Sequence, residues 1–80
     1  MEKRDLRKSK HYTKLVTQLI GYVNKLDAIH ALMQGRSGII NNLMKDCEEA
    51  LEPMGYSKES IESLRPVINS AVIDKWGPDL

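Results

Sequence analysis

Few residues of this sequence have side chains that could act as nucleophile, base or metal ligand, and their spacing matches no catalytic pattern. Cys47 is the single thiol. It stands among Leu43, Met44, Ala50 and Leu51, the spacing of a helical apolar stripe, where cysteine acts as a small hydrophobe rather than a thiolate. His11 and His30 are far apart, and no cysteine or carboxylate falls three or four residues from both, so zinc spacing is absent. Asp27 and His30, at i and i+3, can hydrogen-bond on a helix surface. Glu48, Glu49 and Glu52 lack the partners of a calcium loop. Gly35-Arg36-Ser37-Gly38 is a glycine turn before a helix start, a place for an anion, but without a phosphate-loop lysine or a preceding strand. We expect no enzyme, no metal and no cofactor.

Charge is the second chemical resource. Residues 1–14 hold Lys3, Arg4, Arg7, Lys8, Lys10 and Lys14 against two carboxylates. Residues 46–80 hold three cations against eight carboxylates, with Asp46, Glu48, Glu49 and Glu52 closest together. The net charge of +1 hides this asymmetry. A basic arm of this density can grip phosphates or an acidic protein surface, although the pI of 7.9 is low for a dedicated nucleic-acid domain.

The elements that would position these groups are helical. Tyr12, Leu15, Leu19, Tyr22, Leu26, Ile29 and Met33 repeat at alternating steps of three and four, which predicts a long first helix over about 5–33. Gln34–Gly38 reads as a turn, with Gly35 as a left-handed C′ residue and Ser37 capping a second helix over about 38–52. Pro53 ends that helix. Ser57 is the next N-cap, and Ile61, Leu64, Ile68, Ala71, Val72 and Trp76 give a third helix over about 58–76, kinked at Pro66 and stopped by Gly77-Pro78. Trp76 is expected on the core face, near Ile29 and Met33. The loop Leu51–Ser57 resembles the Met-Gly-Phe/Tyr turn of ubiquitin-associated domains, but the spacing from Tyr56 to Asn69, Ala71 and Val72 is too short for that family, so the resemblance is confined to the loop.

These elements define an all-α, three-helix arrangement: a basic arm over 1–11, one helical domain over 12–76 and a short tail over 77–80. A first helix roughly 43 Å long at 1.5 Å per residue outreaches a second helix half that length. Tyr12, Leu15, Val16 and Leu19 then form the expected self-association seam, and a chain of 80 residues gains most from such a partner because it buries little surface alone. The basic arm and the acidic cluster, each unfavourable for its own helix dipole, would suit each other across that interface.

A composition of 41% hydrophobic and 29% charged residues excludes a disordered acidic tail, and no apolar run is long enough for a membrane span or a signal peptide. A lone cysteine points to a reducing, cytoplasmic setting. The sequence therefore suggests a small non-enzymatic protein–protein interaction module, an adaptor, inhibitor or regulator acting as a homodimer. Such a chain fits a bacterial or phage accessory protein. The alternative is a nucleic-acid-binding regulator with the arm on phosphates.

Overall fold

Asp27 divides the longest apolar repeat of the chain. In the computed structural model, which describes residues 3–78 and 80, its side chain accepts the backbone N–H of His30 at 2.8 Å and starts a new helix. Leu26 and Asp27 are extended, with ψ of 136° and 161°. The first helix, α1, therefore spans Tyr12–Lys25, and the second, α2, spans Ala28–Leu51. Met1, Glu2 and Asp79, which belong to the terminal charge runs and to the arm and tail, lie outside the described residues.

The expected helix over 5–33 is thus three pieces: a 3-10 turn at Leu6–Lys8, α1, and the opening turns of α2. Aspartate is among the best N-caps, and a cap can start a new helix without interrupting the three-four spacing in the sequence. The periodicity therefore carried across a break that it could not reveal. The expected turn at 34–38 is a kink confined to Gly35, whose φ of 72° and ψ of 167° interrupt α2. Helical geometry resumes at once, so Ser37 sits inside the helix and caps nothing.

Downstream, a 3-10 turn at Glu52–Met54 precedes Gly55 at φ 90°. The hydroxyl of Ser57 then caps α3, Lys58–Glu62, through the N–H of Ser60. Ser63 and Leu64 keep helical dihedrals and lead into α4, Arg65–Trp76. Pro66 falls in the first turn of α4, where its missing N–H has no intrahelical partner to lose. Gly77 ends α4, its N–H bonding the Ile73 carbonyl at 2.7 Å.

Among the described residues the structure is all-helical apart from one isolated β-bridge, with α1, α2 and α4 as the three long helices. Helix α4 packs against both α1 and α2, and α1 lies antiparallel beside the second half of α2, with Leu15 near Leu51 and with Tyr22 and Leu26 near Ile39, Leu43 and Asp46. Val23, Ala31, Ile39, Met44, Ile61, Leu64, Ile68 and Val72 form the core. Extents of 43 × 19 × 17 Å make the molecule a rod, and its radius of gyration of 13.1 Å exceeds the roughly 12 Å of a compact domain of this length. A rod has much surface for its volume, so its faces matter more than its interior.

Candidate interaction surfaces

The N-terminal segment is stitched to the domain. The N–H of Arg4 donates to the Gly55 carbonyl at 2.8 Å, and the N–H of Ser57 returns the bond to the Arg4 carbonyl at 2.7 Å. The Arg4 guanidinium lies over the Tyr56 ring and also donates to the Met54 carbonyl. Two residues on, Leu6 is only 2% exposed in the core beside Tyr56. Arg7 forms a two-pronged pair with Asp5, 3.0 Å in each prong, which holds the Asp5 carboxyl below its usual range and raises Arg7. The free arm expected over 1–11 is therefore a structural strap from Arg4 onward. Lys3, Lys8, Lys10 and Lys14 remain exposed and outside any ion pair among the described residues.

This strap also corrects the premise for self-association through the start of the first helix. Tyr12, Leu15 and Val16 are half-buried against the core and Leu19 is buried within it, so the monomer covers this end itself. Leu6, Leu15, Leu51 and Met54 meet there in a shallow groove of about 250 Å³ that also borders Tyr56. His11 and Lys14 form its ionisable rim.

The acidic cluster is not one patch. Asp46 turns toward Tyr22 and Leu26 of α1, whereas Glu48 lies near Glu62 and Arg65. Residues two apart on a helix point to opposite sides. Glu49 and Glu52 are exposed, and Glu52 opens the turn whose Met54 carbonyl receives Arg4. The fold thus brings the basic segment and the end of α2 together within one chain, where a contact between two chains was expected.

The bare apolar surface lies beyond the other end of α1. Ile29, Leu32 and Met33 are 70%, 71% and 80% exposed, at i, i+3 and i+4 on the opening turns of α2. Tyr22 is also exposed, and Leu32 borders a hollow with Ala28, Trp76 and Leu80. Trp76 is half-buried against the core at this corner, with the Lys75 ammonium 4.7 Å from its ring centroid. Sequence reasoning placed Ile29 and Met33 on the core face because they keep phase with Leu19. The cap at Asp27 turns them outward, and that cap is the one signal that could have located the ridge.

Cys47 is buried, its thiol pushed up by burial with Asp46 and Glu48 adding to the effect, which favours the unreactive protonated form. His30 Nδ1 sits 2.7 Å from the Asp27 carboxylate, and both side chains are open to water. Among the described residues no three His, Cys, Asp or Glu side chains converge, and no helix is long and apolar enough to cross a membrane. Comparison with protein-family models, curated proteins and solved structures found no match.

Proposed function

We propose that this chain is a small non-enzymatic interaction module that works through helical surfaces as a homodimer, and that its self-contact is the Ile29-Leu32-Met33 ridge. The observation that carries this reading is the exposure of these three large side chains together on one helical face. Scattered exposed hydrophobes are ordinary, but a contiguous run next to a half-buried tryptophan marks a contact surface. A second copy suits it for three reasons. Ile29, Leu32 and Met33 stand at i, i+3 and i+4 on α2, the spacing of a helix face that packs against another helix. The charged residues flanking the ridge, Lys25, Asp27 and Arg36, are mixed in sign, so two copies can approach without opposing long runs of like charge. An isologous contact also uses one patch twice and closes on itself.

The test is mass in solution. Light scattering after size exclusion should give at least twice 9.1 kDa at micromolar concentration. Leu32→Asp should return the protein to one chain with its helical circular dichroism intact. A monomeric wild-type chain with a cooperative thermal transition would overturn the reading.

The second reading, a nucleic-acid-binding regulator, is supported by the exposure of Lys3, Lys8, Lys10 and Lys14. It requires binding to a random DNA duplex that falls steeply with added salt.

A further inference from the structure

We infer that the groove at the N-terminal end of α1 is a second docking surface, and that it receives an acidic amphipathic peptide segment of another protein. The groove lies at the opposite end of α1 from the ridge, so the two surfaces can be occupied together. Its base is apolar, formed by Leu6, Leu15, Leu51 and the half-exposed Met54. Its ionisable lining, His11 and Lys14, contains no carboxylate. Lys10 is exposed just before His11, and Asp5, next to Leu6, is already paired with Arg7. Glu52, next to Leu51, and Glu59, near Arg7, lie outside the lining, so the charged side chain that borders the groove itself is Lys14.

The small, open shape suits an anchoring side chain better than a whole small molecule. At about 250 Å³ the groove is below the roughly 300–1,000 Å³ of ligand pockets. It can seat an anchoring side chain or two, with the rest of a peptide lying across the rim, as an amphipathic helix does in an apolar groove. A basic rim selects acidic flanks around those anchors and steers their approach. Nucleic acid suits the site less well. Single strands need exposed aromatic faces for stacking, and Tyr56 is buried with the Arg4 guanidinium over its ring.

The probe is a fluorescein-labelled synthetic helix with leucine at i, i+3, i+4 and i+7 and glutamate elsewhere. Two control peptides replace every glutamate by lysine or every leucine by serine, and a random DNA duplex is the third competitor. The acidic amphipathic peptide should bind at least about tenfold more tightly than either control peptide and more tightly than the duplex. Met54→Glu and Lys14→Glu should each weaken it by about tenfold while leaving the melting curve in place. Equal binding by either control peptide, tighter binding by the duplex, or affinity untouched by both variants overturns the inference. Leu32→Asp should still bind the peptide, so failure of the groove and failure of the ridge are read separately.

Discussion

The guanidinium carbon of Arg4 lies 4.5 Å from the centroid of the Tyr56 ring, so the most basic stretch of the chain is anchored on the loop that follows α2. The contact is reinforced by the reciprocal backbone bonds of Arg4 with Gly55 and Ser57 and by the buried Leu6. A segment so tied contributes to stability before it contributes to binding.

Removal of residues 1–10 should therefore lower the melting temperature substantially, where a free arm would leave it unchanged. The single substitution Leu6→Ala should cost about 2–5 kcal/mol, as large-to-small changes at buried positions do, which is a large share of the stability of a domain this small. Urea titration followed by circular dichroism measures both. An unchanged midpoint in the deletion would show that the strap is dispensable.

Lys75 is the counterpart at the other end of α1. Its ammonium donates to the Leu26 carbonyl at 2.7 Å, to that of Val23 at 3.3 Å, and to Asn24. A cation from α4 thus satisfies the carbonyls exposed where α1 stops, and it meets the negative end of that helix dipole. Lys75→Met keeps the aliphatic stem and removes the donor. It should cost about 1 kcal/mol in a thermal melt, and Lys75→Arg should recover part of the loss. No loss in the methionine variant would assign these carbonyls to solvent.

The secondary-structure class, the cap at Ser57, the stop at Gly77 and most of the core could be read from the sequence because each depends on local chemistry. The apolar positions Leu43, Met44, Ile61, Leu64, Ile68 and Val72 follow helical spacing and are buried. Two features depend on which of two local signals wins. Asp27 is both a tolerable helix residue and an excellent cap, and in the structure it caps. Residues 3–8 looked like a solvated charge run because Leu6 is a lone apolar residue among cations, and its burial depends on a partner fifty residues away, Tyr56. The surfaces follow from these two choices. Without the break at Leu26-Asp27 there is no bare ridge, and without the strap there is no groove.

The cap at Asp27 should be visible as a pH effect. Its carboxyl is held below the ordinary range, first by the backbone N–H of His30 and then by the His30 ring. A group whose folded value is depressed contributes stability above its unfolded value and loses it as pH falls through the folded one. Asp27 therefore stabilises the start of α2 at neutral pH and ceases to do so in acid, below the usual carboxylate range. Asp27→Asn keeps the capping oxygen but cannot titrate. Melting curves from pH 7 downward should show a shallower acid loss in this variant than in the wild type. Parallel profiles would place the acid sensitivity elsewhere, at Asp5 or Glu62, whose carboxyls are lowered by Arg7 and Arg65.

Trp76 reports on the ridge. The ring is half-buried and borders the hollow that Leu32, Ala28 and Leu80 also line. In a single chain its emission should fall between the buried and solvated limits, and acrylamide should quench it partially. Pairing of two ridges through Leu32 would cover the hollow and remove water from the ring. Concentrating the protein should therefore shift the emission to the blue and reduce quenching, over the same range in which light scattering records the mass increase. Leu32→Asp should hold emission at the single-chain value at every concentration. Trp76→Ala should cost less than the about 3–5 kcal/mol of a fully buried aromatic, so the variant remains folded, and it should weaken self-association. Emission that is independent of concentration while the mass doubles would place the self-contact away from this corner and move the search to the faces of α1 and α4.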